Sequence, residues 1–279
     1  MRQDSVGAMG NSNVSSDIHH LQSRHIVVMG MWPPTNDMVR RFSDDPVKNP
    51  DGWLGENWRG KGYDIFAFFP EFPNYSAHGL KGVGDFQIDY RAVSKDFWRI
   101  VTDKQPCAIV TFSAMAGTYP CWAVERFARN LDEWKLRAHV TEQPDPVPPD
   151  RDFSANGARE STLPMQAIVD AVIASGVYSD IADGTHTCAT VREDCGAFVS
   201  EFIGYHGLWY QSLNSDASSP RRCVAAGHVH VGTQALSEGE QRYPIGPASA
   251  GYDDALRRAM LATEITLEQV IDHVRRVGS

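Results

Sequence analysis

Ser200, His230 and Glu125 are the side chains whose types could together cut an amide bond. Hydrolysis by a side-chain nucleophile needs a serine or cysteine to attack, a histidine to take its proton, and a third group to orient that histidine. Such residues meet in space, so spacing alone does not identify them, but placement helps. Ser200 falls early in a predicted helix, where free N–H groups and the positive end of the dipole favour a developing anion. His230 falls at the C-terminal end of a predicted strand, the edge where open α/β sheets put their ligand sites. Glu125 is an isolated acid in the mixed apolar segment Val124-Glu-Arg-Phe-Ala-Arg-Asn130. Each has a structural alternative: a serine at a helix start is usually a cap or solvated, and a strand-end histidine is usually a hydrogen-bonded part of the framework.

The elements that must position them follow from hydrophobic periodicity. Residues 25–30 form a short β-branched run ended by glycine, as the buried first strand of a parallel sheet does. Residues 63–69, 108–112 and 224–231 are similar runs. Met165, Ile168, Val169, Val172 and Ile173 share one helical face, with Thr162 and Pro164 as entry signals and Gly176 as the exit. A second helix is expected to carry Cys195, Phe198, Val199, Phe202 and Ile203 on its apolar face, capped by Asp194. A third is expected to begin at Thr266, where Thr-x-x-Gln forms a capping-box pattern. Strands alternating with helices predict a three-layer α/β/α domain with a mainly parallel twisted sheet. Residues 1–23 lack an apolar period and read as a mobile tail; residues 24–279 read as a single domain. The proline-rich stretch 141–159 reads as a surface loop.

Composition narrows the function. With 42% hydrophobic and 22% charged residues the chain is of ordinary globular type, and a net charge of −9 argues against a nucleic-acid surface. No apolar run is long enough to cross a bilayer, and no signal-peptide pattern opens the chain, so a cytoplasmic location is expected. The five cysteines contain no C-x-x-C pair, which suggests neither a zinc site nor a disulfide framework but reduced, buried thiols. His228 and His230 are read as facing opposite sides of their strand, which would prevent them from sharing a metal. With no Walker loop and no G-x-G-x-x-G fingerprint either, no metal or other cofactor is expected.

Three ordered segments give the candidates more weight. Val124-Glu-Arg-Phe-Ala-Arg-Asn-Leu131, Cys195-Gly-Ala-Phe-Val-Ser200 and Gly227-His-Val-His230-Val231 resemble, in turn, the E-R-x-A-x-N, A-G-T-Y-V-C and G-F-I-H-V segments of the pyroglutamyl peptidase I family of cysteine peptidases. Ser161-Thr-Leu-Pro164 and Asn49-Pro50 also match segments of that family, and the similarity covers about residues 24–277. The resemblance implies the family's fold. It also places Glu125 on the family's catalytic glutamate, Ser200 on its nucleophilic cysteine, and His230, not His228, on its catalytic histidine.

The pocket departs from the pattern. The family's G-F-x-P-F-G-G appears as Gly30-Met-Trp-Pro-Pro-Thr-Asn36, so Met31 and Pro34 stand where two phenylalanines hold the pyroglutamyl ring. Its G-Q-A-G-G-R turn appears as Ala114-Met-Ala-Gly117-Thr-Tyr119, which puts Met115 for glutamine and Tyr119 for arginine. Lys135 takes the place of an arginine near the oxyanion, and Val199 precedes the nucleophile in the expected pocket. A buried lactam left without hydrogen-bond partners costs on the order of 1–3 kcal/mol per group, so unsubstituted pyroglutamate is not the expected substrate. The expected function is hydrolysis of an amide in a small N-terminally blocked or modified peptide, with no nucleic-acid or membrane partner and a homo-oligomer left open. Three rivals stand beside it: an engineered Cys→Ser change at Ser200 in a thiol enzyme, a non-catalytic relative that binds a small ligand, and a biosynthetic acyl-transfer or amide-hydrolysing enzyme.

Overall fold

The computed structural model describes residues 23–72, 81–115, 121–137, 140–180, 188–194, 196–232 and 251–278. The tail expected at residues 1–23 therefore lies almost wholly outside the described residues, as do Gly117, Tyr119 and Cys195.

In chain order the elements are β1 (His25–Gly30), α1 (Thr35–Val39), β2 (Asp64–Phe68), β3 (Pro70–Glu71), β4 (Val83–Gly84), α2 (Tyr90–Lys104), β5 (Ala108–Met115) and β6 (Trp122–Arg129). β7 (Ala158–Glu160), α3 (Met165–Ala174), β8 (Ala189–Asp194), α4 (Val199–Leu213), β9 (Ala225–Gly232) and α5 (Tyr252–Gly278) follow. The main sheet has the order β2-β1-β5-β9-β6-β7, with β8 also paired to β6. β2, β1, β5 and β9 run parallel, whereas β6 is antiparallel to β9. β3 and β4 form a separate two-stranded ribbon.

Strand alternation sends side chains to two faces, and each face has its own core. Ile26, Val28, Val110, Phe112, Trp122, Val124, Val229 and Val231 pack with Met38 and Val39 of α1 and with the apolar faces of α3 and α5. Val27, Met29, Ile109 and Ala226 pack on the other side with Val93, Phe97 and Ile100 of α2 and Val199, Phe202 and Ile203 of α4. This is the three-layer α/β/α arrangement expected, with a sheet that is mixed at β6 and β7.

Several boundaries differ from expectation. α2, capped by the Asp89 carboxylate accepting from Arg91 N–H at 3.1 Å, was not among the expected helices. Asp194, expected as the cap of α4, ends β8, and the N-cap position of α4 is Phe198. The Glu201 carboxylate reaches back to the Ala197 N–H at that end. α5 begins at Tyr252, not Thr266, because residues 252–265 already bury Ala255, Ala259 and Ala262 on the same face. The Thr266 hydroxyl, expected as a cap, donates within the helix to Ala262 O at 2.8 Å. Ile173, placed on the buried face of α3, is 47% exposed because that helix turns only Ile168, Val169 and Val172 fully inward. The loop at 141–159 is irregular chain as far as residue 157, yet it buries Asp150, which accepts from Arg159 and Tyr205 at 2.9 Å each.

Candidate active site

On the α2/α4 face of the sheet, polarity changes along the strands. Near their N-terminal ends the residues are Ile109 on β5 and Ala226 on β9. Two and four residues further on they are Thr111 and Ser113 on β5 and His228 and His230 on β9, all buried. β6 adds Glu125 from the other flank, opposite His228 in register. Buried polar groups must find partners, so this patch organises itself into hydrogen bonds. His230 Nδ1 donates to Glu125 Oε1 at 2.6 Å. The Glu125 side chain is only 1% exposed, and its Oε2 has no hydrogen-bond partner among the described residues. Arg192 of β8, in register with Glu125, brings its guanidinium to 3.9 Å from Oε1.

α4 covers this patch, and three contacts fix its direction. A Cβ built on Gly204 would lie 3.1 Å from His228 Cβ, and one built on Gly207 would lie 3.7 Å from Ile109 Cγ2. Further along, Gln211 donates to Cys223 O, just before β9. The helix therefore runs antiparallel to β9, with its N-terminus at the end of the strand that carries His230. Ser200 lies four residues before Gly204, about 6 Å along the axis, and His230 lies two residues beyond His228, about 6.6 Å along the strand. The two steps match, so Ser200 and His230 are carried to the same level of the fold.

The turn before α4 is held from two sides. Gly196 and Ala197 both adopt positive φ (90° and 68°), a conformation that costs an alanine roughly 1–2 kcal/mol. Glu201, fully buried, accepts from Ala197 N–H, from Arg129 N–H at 3.0 Å and from the Arg129 guanidinium at 2.8 and 2.9 Å. Lys135 N–H donates to Ala197 O at 3.0 Å, and Tyr90 Oη donates to Lys135 O at 2.6 Å. Ser200 thus sits in the first turn of α4, whose backbone N–H groups have no partner within the helix.

The remaining residues expected in the pocket are distributed unevenly. Met31 and Val199 are buried in the same core cluster on the α2/α4 face. Pro34 is buried at the start of α1. The half-buried Met115 has its Sδ 2.6 Å from an Arg192 nitrogen. Lys135 is exposed, its Nζ 5.0 Å from the ring of Phe198, and Arg137 lies over the same ring at 4.3 Å.

One sequence reading is wrong here. His228 and His230 do not face opposite sides: two residues apart on a pleated strand puts them on one face. Their rings meet edge to face, with centroids 4.6 Å apart. His228 Nδ1 and Nε2 are engaged by Thr111 Oγ1 at 2.7 Å and Ser113 Oγ at 2.9 Å. No group of three potential metal ligands occurs among the described residues. Burial, and secondarily the neighbouring His230, pushes His228 well below the ordinary histidine range, so it is neutral. Thr111, Ser113 and Arg192 were not singled out from the sequence. The i, i+2 spacing of the two hydroxyls was the signal available, although the expected strand ended at residue 112, before Ser113.

The four described cysteines, Cys107, Cys121, Cys188 and Cys223, are buried and free. Burial pushes the Cys107 and Cys121 thiols up to about 12 and raises the other two, the reverse of an activated thiol.

A histidine–carboxylate pair beneath a helix N-terminus, on one face of a three-layer α/β/α fold, is an arrangement also found among acyl hydrolases. Comparison with known proteins narrows the class. No family model matches the chain. It is 29% identical over 171 residues to a pyrrolidone-carboxylate peptidase of Bacillus cereus, covering 61% of this chain and 70% of that one. A second such peptidase, from another strain of Bacillus cereus, is 26% identical over 211 residues, covering 73% and 88%. Among solved structures, the pyrrolidone carboxyl peptidase from Thermococcus litoralis superposes with a TM-score of 0.59 at 15% identity, over 91% of this chain and 96% of that one. Pyroglutamyl peptidase I from Bacillus amyloliquefaciens gives 0.58 at 15% identity, over 90% and 96%. The resemblance to pyroglutamyl peptidase I read from the motifs is borne out, and the fold is that of those peptidases.

Proposed function

We propose that the protein is a peptidase of pyroglutamyl peptidase I type that cleaves the amide bond of a small, N-terminally blocked or modified peptide. The observation that carries this reading is the Nδ1–H···Oε1 bond between His230 and Glu125 at 2.6 Å, beside the N-terminus of the helix that bears Ser200. With Nδ1 committed to the carboxylate, Nε2 of His230 is the basic nitrogen, available to take the Ser200 hydroxyl proton as the oxygen attacks the carbonyl carbon. The imidazolium formed is stabilised by Glu125 and then protonates the leaving amine. Water repeats the sequence on the acyl-enzyme and regenerates Ser200.

The oxyanion is met by first-turn N–H groups of α4, with the positive end of the helix dipole behind them. Lys135, tied by its backbone to Ala197, adds positive charge at the rim. The absence of an activated thiol among the described cysteines favours Ser200 as nucleophile.

The test is turnover of small acyl-aminomethylcoumarin amides by four variants. Ser200→Ala and His230→Ala are each expected to lower kcat by about 10³-fold or more and to similar extents, since such groups act as a unit. Glu125→Gln is expected to cost less, and Ser200→Cys to raise activity on activated amides. Full activity in Ser200→Ala would overturn the assignment. Binding without turnover, unchanged in a Ser200→Ala/His230→Ala double variant, would identify a non-catalytic relative instead.

A further inference from the structure

His228 stands where the family segment G-F-I-H-V has phenylalanine, and nothing in the chemistry proposed above uses it. Yet it is fully buried, directly beside His230, with both ring nitrogens engaged. A neutral imidazole has one donor and one acceptor nitrogen, and two hydroxyls from alternate positions of β5 satisfy both. Thr111 lies opposite His228 in register and Ser113 lies opposite His230. Ser113 therefore belongs, by strand pairing, beside the residue proposed as general base. Its hydroxyl nevertheless points to His228 Nε2.

We propose that His228 is a positioning residue for His230. Clamped at both nitrogens, it forms the wall that fixes the His230 ring plane and holds the Ser113 hydroxyl away from His230 Nε2. The second effect follows from satisfaction of buried polar groups: a buried hydroxyl deprived of one partner turns to another within reach. For Ser113 that neighbour is the ring opposite it. A hydroxyl donating to Nε2 would compete with Ser200 for the same lone pair.

Among the described residues, the titratable and charged groups around His230 are few. β6 supplies Glu125, β8 supplies Arg192 beyond it, and β9 supplies His228. Glu201 of α4 is turned to Arg129. Burial keeps His228 uncharged, so it can press against His230 without opposing the imidazolium that forms there.

This inference rests on the proposed hydrolase reading for its kinetic consequence but not for its structural one. Its test pairs ¹⁵N NMR of the histidine rings in the full chain with the pH profile and the kcat and KM of amide hydrolysis. His228→Phe is expected to shift His230 from a single Nδ1–H tautomer to a mixture and to lower kcat by about 10-fold with KM little changed, as a misplaced catalytic group does. The triple variant His228→Phe/Thr111→Val/Ser113→Ala removes the competing hydroxyls and is expected to recover most of that loss. Thr111→Val, a near-isosteric change that loosens one end of the clamp, is expected to give an intermediate shift even if His228→Phe fails to fold. A His230 tautomer and pH profile unchanged in His228→Phe, or in Thr111→Val where the former does not fold, would overturn the proposal. So would a triple variant no better than His228→Phe. If the unaltered protein hydrolyses no amide, the hydrolase reading fails, and the tautomer measurement still decides the role of His228.

Discussion

Gly204 of α4 stands directly against His228 of β9, so close that a methyl group on its α-carbon would come within 3.1 Å of the histidine Cβ. The helix can approach the strand this closely only because residue 204 has no side chain. That approach sets how deeply the N-terminus of α4, with Ser200 in its first turn, sits over the sheet.

Gly204→Ala is accordingly expected to destabilise the fold by about 1–3 kcal/mol, the range for overfilling a packed interior. It should lower turnover more than a distant change of equal cost, because α4 must lift or His228 must shift. Thermal melting together with kcat in a matched pair of variants checks this. Unaltered kcat at reduced Tm would show that the helix position is not transmitted to the site.

Glu201 and Arg129 tie the start of α4 to β6. Removing one partner of a fully buried ion pair costs about 3–5 kcal/mol, and the 32% exposure of the Arg129 side chain reduces this to about 2 kcal/mol. Glu201→Gln is expected to show that loss in urea unfolding. It should also reduce activity, since the carboxylate holds Ala197 N–H in the turn before Ser200.

His206 gives a pH signature separate from catalysis. Burial lowers it to about 4, while its Nδ1 donates to Phe202 O and its Nε2 meets Ser94 Oγ. The folded value is below the unfolded one, so between them the unfolded chain binds more protons. The stabilisation is complete above about pH 6.5 and falls toward pH 4, by on the order of 3 kcal/mol. Unfolding free energy measured across that window should be visibly flatter in His206→Gln, although His228 keeps part of the slope with the same sign.

Pyroglutamyl-aminomethylcoumarin is expected to be a poor substrate, with kcat/KM about 100-fold below that of the Bacillus peptidases this chain resembles. The reason is chemical: a lactam needs its N–H and C=O satisfied, at about 1–3 kcal/mol each, and two such losses together reach that factor. Met115 and Tyr119 stand where the family has its amide-pairing glutamine and its arginine, and the Met115 sulfur is already against Arg192. Met31 and Pro34 replace the two ring-holding phenylalanines. Turnover equal to those peptidases in a side-by-side assay would show that the lactam is met by other groups.

The buried framework was legible in the order of residues alone. β1, β2, β5 and β9 announced themselves as short β-branched runs because strands buried on both faces need continuous apolar side chains. The ordered motifs carried the fold and singled out Glu125, Ser200 and His230. β6 was not legible as a strand: the charged Glu125, Arg126 and Arg129 break the apolar run, and only pairing with β9 and β8 makes it one. α5 was read too short because its first half buries small alanines, which signal a helix face weakly. Which polar groups share a face, and at what level, emerged only from the packed fold. The Glu125–His230 bond spans 105 residues, and the clamp of Thr111 and Ser113 on His228 spans 117 and 115. Such contacts depend on strand register across the sheet and on the depth of α4 over it, and both are set by packing between elements distant in the chain.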